Sequence, residues 1–389
     1  MIRLGKLIHF FLLVALFCST ALASVSQVAE TKSEKSSKHA RNSITQEESN
    51  WNWHHRDDDI DTEVKIRGKV EFADDYSDIK SISDGGSIRV YDSRSGMSRR
   101  FEAQMTPEGL KRSYSVNGQS SPFNDEARAW LAKMLNDTVR LGGYDAEARV
   151  ARILKQAGPR GVLAEISQLK GDYVKRIYFD KLVEQGNLDD KTAREVINHA
   201  AREINSDYEK AQMLIKMSES YLRDDQTRAI YIEGVNTINS DYEKGRALAA
   251  LLKQGNMSKE NIIFAIRSAH NISSDYERAQ MLIKIASAFQ LDDRERAAYL
   301  EGIASMRSDY EKGRVLSALL KKDDLGKETL LFAVKSVSTI SSDYEKAQLL
   351  IKVAAASSGD EAVRNALIDS AREIKSEYER GRVLSAVFK

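Results

Sequence analysis

Residues 274–280 read Ser274-Asp275-Tyr276-Glu277-Arg278-Ala279-Gln280, and residues 308–314 read Ser308-Asp309-Tyr310-Glu311-Lys312-Gly313-Arg314. The two are copies 34 residues apart. Further copies begin at Ser206, Ser240, Ser342 and Ser376 on the same spacing, and a weaker one, Asp172-Tyr173, stands 35 residues before Asp207. A fixed period of this length marks an array of helical units. Two amphipathic runs fill each period. Lys259 to Ile272 sets Ile262, Ile263, Ile266 and Ala269 on one face, and Tyr276 to Phe289 does the same with Ala279, Leu282, Ile283 and Ala286. One such hairpin cannot bury both faces, so neighbours must stack on it. The reading is an α-solenoid of 34-residue helix hairpins.

The motif has a local physical reading. Ser206, Ser240, Ser274, Ser308, Ser342 and Ser376 each have a glutamate three residues on: Glu209, Glu243, Glu277, Glu311, Glu345 and Glu379. That spacing is a capping box, in which the hydroxyl accepts the third helical N–H and the carboxylate returns to the serine N–H. The acid at the first helical position suits the positive end of the helix dipole. Tyr208, Tyr242, Tyr276, Tyr310, Tyr344 and Tyr378 are expected to lay their rings on the preceding helix. The alternative is that the Asp and Tyr rows form a ligand-binding ladder along one edge.

The copies alternate. Those at Asp207, Asp275 and Asp343 continue Ala-Gln, and those at Asp241, Asp309 and Glu377 continue Gly-Arg, so the full repeat is 68 residues, present three times. An acid stands thirteen residues before each Gly-Arg arginine, on the opposite arm of the hairpin. Ion pairs Glu233–Arg246, Glu301–Arg314 and Asp369–Arg382 are therefore expected, with anion binding by the arginines on the solenoid's concave face as the alternative. Small residues also match across the arms, as in Gly234 with Gly245 and Gly302 with Gly313. They predict that the two helices of a hairpin cross most closely there, because small residues let backbones approach.

Upstream of the helices the pattern changes. Val64, Ile66, Val70 and Phe72 alternate with charged residues, as do Ile88 and Val90, then Phe101, Ala103 and Met105, then Tyr114 and Val116. Glycine-rich turns separate them, which predicts an antiparallel meander of four or five strands. The fold class is α+β, mainly α: a small antiparallel β domain over 63–121, then the helical repeat domain over 122–389, regular from about residue 189. Residues 24–62 are polar and read as a disordered linker. Within them Trp51-Asn52-Trp53-His54-His55 precedes a run of acids, a weak hint of a metal site; the block reads rather as a solvated tail.

The first 23 residues read as a secretory signal peptide: Arg3 and Lys6, an apolar run from Leu7 to Ala23, then Ala21-Leu22-Ala23 before Ser24. Cys18, the lone cysteine, lies in that segment, so no disulfide is expected in the exported chain. Cleavage takes away two cations and turns the net charge of +1 into −1. A neutral balance argues against nucleic acid as partner, and the apolar run is too short for a stable membrane anchor. No zinc-peptidase, phosphate-loop or nucleophile-elbow motif is present. The expectation is a non-enzymatic, periplasmic or secreted protein with no cofactor, binding a protein or an envelope component. The rival is an envelope sensor that takes a small ligand or metal through the β domain or N-terminal tail.

Val70-Glu71-Phe72, Asp78-Ile79-Lys80-Ser81-Ile82-Ser83, Ser98-Arg99-Arg100, Tyr114-Ser115-Val116-Asn117-Gly118 and Glu126-Ala127-Arg128-Ala129-Trp130-Leu131 together resemble an uncharacterised module of bacterial envelope proteins. That module is found C-terminal to membrane metallopeptidases of the β-lactam-sensor type, again followed by Ser-Asp-Tyr-Glu-Lys helical repeats. The similarity runs over about residues 63–389. The peptidase's zinc motif and membrane helices are absent here, so protease activity does not carry over. The resemblance implies an envelope location and a sensing or regulatory role.

Overall fold

The structure, a computed structural model, describes residues 29–31, 41–47, 49–322, 325–357 and 359–389. The signal-peptide reading of residues 1–23 lies outside them. The chain forms two compact units, one up to Asn136 and one from Asp137.

The first unit is built on an antiparallel sheet. Its strands are β1 (Ala29–Thr31), β2 (Arg41–Glu47), β3 (Asn50–Asp57), β4 (Ile60–Arg67), β7 (Ser87–Arg94), β8 (Met97–Thr106), β9 (Gly109–Val116) and β10 (Gln119–Ser120), hydrogen-bonded in that order. A separate hairpin, β5 (Val70–Phe72) with β6 (Ile79–Ile82), is inserted between β4 and β7. The register lines up one row of buried side chains across six strands: Ile44, Trp53, Val64, Val90, Phe101 and Tyr114. A second row holds Trp51, Ile66, Ile88 and Ala103. Both sit on one face because side chains alternate along a strand. The first helix, α1 (Asp125–Gly142), lays Trp130 against Tyr114, ring centroids 5.7 Å apart, and its indole N–H reaches buried Asp92 at 3.4 Å.

The linker expected over 24–62 is corrected here. β1, β2, β3 and the first three residues of β4 fall within it. The polar composition misled because a sheet wet on one face needs apolar residues only at every second position. Trp51 and Trp53 supply them; Trp53 is 1 % exposed, and its indole N–H donates to Asn42 Oδ1 at 2.6 Å.

The second unit is a series of helix hairpins. The first helices are α2 (Ala146–Ile166), α4 (Asp190–Glu203), α6 (Asp225–Asn236), α8 (Lys259–His270), α10 (Asp293–Ala304), α12 (Lys327–Ser338) and α14 (Glu361–Arg372). The second helices are α3 (Asp172–Gln185), α5 (Asp207–Ser218), α7 (Asp241–Leu252), α9 (Asp275–Ala288), α11 (Asp309–Leu319), α13 (Asp343–Ala356) and α15 (Glu377–Val387). Gly158-Pro159 kinks α2, with Gly158 at φ 66°. Through the middle of the array each helix packs more extensively on its counterpart in the next hairpin than on its own partner. The chain thus makes two parallel files, first helices stacked on first helices and second on second. Apolar residues in the turns, Ile204, Ile238, Ile272, Met306, Ile340 and Ile374, are buried.

Candidate functional site

The repeated motif begins every second helix from α5 onward, and the structure divides its residues between holding the array and facing solvent. The serine caps as expected: the hydroxyls of Ser206, Ser240, Ser274, Ser308, Ser342 and Ser376 accept the amides of Glu209, Glu243, Glu277, Glu311, Glu345 and Glu379 at 3.3–3.4 Å. The return bond from the glutamate is not made, which corrects the capping-box reading. A carboxylate from the preceding hairpin occupies that place instead. Asp207 accepts the N–H groups of Asn239 and Ser240 at 3.1 and 2.8 Å, and Asp241 those of Ser273 and Ser274 at 3.0 and 2.8 Å. Asp275 takes Arg307 and Ser308, Asp309 takes Ser341, and Asp343 takes Ser376. Even the weaker copy does this, Asp172 accepting from Asn205 and Ser206.

The basic fourth residue works on the other side of the same turn. Lys210 donates to the carbonyl and hydroxyl of Thr237, the C-cap of α6, and Lys244 donates to the carbonyl of Asn271, the C-cap of α8. Arg278 reaches Ser305 at 2.8 Å, Lys312 reaches Thr339, and Lys175 reaches the Glu203 carbonyl. The copies at Asp172, Asp207, Asp241, Asp275 and Asp309 therefore each clamp the next hairpin's turn. The anion of each sits at the positive start of one helix and its cation at the negative end of the other. Burial pushes the Lys210 ammonium below the ordinary lysine value, with Asp207 and Asp172 opposing.

Two glycines of the Gly-Arg helices face the second helix that follows. A Cβ on Gly245 would come within 3.6 Å of the Glu277 carboxylate, and one on Gly313 within 3.3 Å of that of Glu345. The first distance is ordinary contact and the second a few tenths of an ångström tight, while Gly381 has nothing within 4 Å, so Gly313 is the one whose Cβ would crowd one of these glutamates. The glutamates of the Gly-Arg helices turn back to their own arginines: Glu243 to Arg246 at 2.7 Å, Glu311 to Arg314 at 2.8 Å and Glu379 to Arg382 at 2.7 Å.

Two expectations fall with this. The arginines pair within their own helix, and Glu233, Glu301 and Asp369 on the opposite arms are exposed; Asp369 pairs with Arg372. Nor do the glycines mark the crossing of a hairpin's arms. Gly245 and Gly313 open toward the next second helix. Gly234 opens toward Ile197 of α4 and Leu214 of α5, and Gly302 toward His270 of α8.

The tyrosines also depart from expectation. Tyr208, Tyr242, Tyr276, Tyr310, Tyr344 and Tyr378 are 52–74 % exposed, more open than rings laid flat on a helix. They form a file along the second helices, with arginines beside them. Arg246 lies 6.0 Å from the Tyr242 ring centroid, Arg382 6.0 Å from Tyr378, and Arg314 5.9 Å from both Tyr276 and Tyr310, spanning two hairpins. Next to this file runs an open groove of about 340 Å³, lined by Ile283, Tyr310, Arg314, Ser317, Lys321 and Lys352 among others. It is low because Gly313, Ser317 and Ala318 on α11 are small, between the bulkier Ile283 of α9 and Leu349 and Lys352 of α13.

In the sheet unit, neighbouring His54 and His55 point to opposite faces by strand alternation. His54 pairs with Asp61 at 2.7 Å, and His55 stacks beside Trp53. Among the described residues no three metal-ligating side chains gather, and no helix is long and apolar enough to cross a membrane.

Comparison with known proteins adds little. No known family and no curated protein matches the chain. Among solved structures it is similar, at 14% identity and a TM-score of 0.14, to a chain from work on the computational design of self-assembling cyclic protein homooligomers, covering 65% of this chain and 90% of that one.

Proposed function

We propose that this chain is an exported, non-enzymatic scaffold that binds another protein on the face made by its second helices. The observation that carries the reading is the file of six exposed tyrosines at 34-residue intervals, interleaved with Arg246, Arg314 and Arg382. Asp, Glu, Ser and Lys of the motif each have an internal task; the tyrosine ring, the largest apolar group in it, stands in water. Tyrosine and arginine are the residues most enriched where proteins bind one another. Residues 1–23 support export, and the resemblance to envelope modules supports a periplasmic site.

The test is crosslinking and recovery of partners from envelope extract, with the tagged protein and with a Tyr276→Ala, Tyr310→Ala, Tyr344→Ala variant. The expected result is a protein captured by the parent and lost by the variant. Equal capture by both would refute the assignment of this face. N-terminal sequencing of the protein from its host is expected to start at Ser24; full-length chain in the membrane fraction would refute export.

A further inference from the structure

The chemistry of the second-helix face narrows the partner. Beyond the tyrosines, on or just after these helices, Lys253, Lys284, Lys321 and Lys352 are exposed and Lys216, Arg246, Arg314 and Arg382 half-buried. Of the carboxylates on the same helices, Glu243, Glu311 and Glu379 are 10–12 % exposed and paired with their own arginines, the aspartates Asp207, Asp241, Asp275, Asp309 and Asp343 are tied to the next hairpin's turn, Glu277 and Glu345 are half-buried, and Glu377 is exposed. The whole chain is close to neutral, with 59 cations and 58 acids, so this cationic edge comes from segregation and not from composition. Gln212, Gln280 and Gln348 occupy the arginine position in the alternate hairpins. Half-buried, their amides make no hydrogen bond to protein among the described residues.

We infer, on the reading that this face binds a protein, that its ligand is an extended acidic polypeptide segment lying across the second helices. A glutamine amide carries one donor edge and one acceptor edge, which match a peptide bond group for group. Arginine and lysine take carboxylates, and tyrosine rings cover the apolar side of the chain. The spacing fits too. Packed helices stand about 8–10 Å apart and an extended chain advances about 3.3 Å per residue, so each hairpin spans roughly three residues of ligand. The groove over α11, between α9 and α13, has Arg314, Lys321 and Lys352 against the single lining acid Glu345, and is where a side chain of that segment enters.

Fluorescence anisotropy of the full chain with a labelled 18-residue peptide of repeating Glu-Leu-Gly tests this. A Lys-Leu-Gly peptide and polygalacturonate are the comparison ligands. Binding of the acidic peptide is expected, weakening steeply with salt, at least tenfold tighter than either comparison. Lys284→Glu, Lys321→Glu and Lys352→Glu together should weaken it at least tenfold with the circular dichroism melt unchanged, since all three ammoniums are exposed. Gln280→Leu and Gln348→Leu should weaken it at constant charge. Tighter binding of polygalacturonate, equal binding of the basic peptide, or unchanged affinity in both variants would overturn the inference. If the acidic peptide does not bind while the tyrosine-dependent capture from extract persists, the ligand class is wrong and the scaffold reading stands.

Discussion

Replacing Asp241 by alanine removes the anionic half of one clamp. In the native array its carboxylate accepts the half-buried N–H of Ser274 at 2.8 Å and the exposed N–H of Ser273 at 3.0 Å. Water replaces the second bond readily. The first leaves a donor starved at the start of α9, worth about 1–3 kcal/mol. Asp241 also stands at the first position of its own helix, α7, where loss of an anion costs about 0.3–1 kcal/mol. The sum is about 1.3–4 kcal/mol. By contrast Ser274→Ala, which removes a cap bond of 3.4 Å, should cost no more than about 1 kcal/mol. The residue 33 positions away in sequence thus matters more to the start of α9 than its own cap. Asp241→Asn, which keeps an acceptor and loses the charge, should fall between. Urea unfolding would give the stabilities, and hydrogen exchange would locate the effect at the Ser274 amide. A loss below about 0.5 kcal/mol, the range of an ordinary surface substitution, with unchanged exchange at Ser274, would refute the clamp.

Four further outcomes are expected. Gly302→Ala should destabilise by about 1–3 kcal/mol through overpacking, because its Cβ would lie 2.1 Å from the His270 ring. Gly381→Ala, with nothing within 4 Å, should stabilise by about 0.5–1 kcal/mol through helix propensity; thermal melts decide both. Burial, reinforced by the nearby Arg278, holds the His270 imidazole below the ordinary histidine value. The unfolded chain then takes up that proton more readily than the folded one. Its contribution is fully present above pH about 6.5 and is lost as pH falls below it. His270→Gln should flatten the stability profile between pH 7 and 5, and an unchanged profile would refute the assignment. Trp53→Ala should cost the sheet about 3–5 kcal/mol, read by far-ultraviolet circular dichroism on urea titration; a stability change near zero would return residues 50–57 to the status of a tail.

The sequence by itself determined the helical array, its 34-residue period and its 68-residue alternation. These follow from local rules: serine caps, amphipathic spacing and the absence of proline after Pro159 all act within one helix or between adjacent ones. It also determined the strand character of 63–118, because alternation is a property of successive residues. What it left open were the bonds made across hairpins. Asp241 reads as a helix-start residue from its neighbours, yet its carboxylate belongs to Ser273 and Ser274, one repeat on. The lysine of the motif reads as a surface charge and instead closes the next helix's C-terminus. A 34-residue period places each such pair at equivalent positions but does not say which neighbour a side chain turns toward. That was decided only by stacking like helix on like helix. The same stacking set Gly245 and Gly313 beside Glu277 and Glu345, whereas the pairing of Arg246 and Arg314 with Glu243 and Glu311 spans three residues of one helix and is local. In the sheet, Trp53 shows the same limit: one apolar residue in a polar stretch carries too weak a local signal, and it becomes core because register places it between Ile44 and Val64.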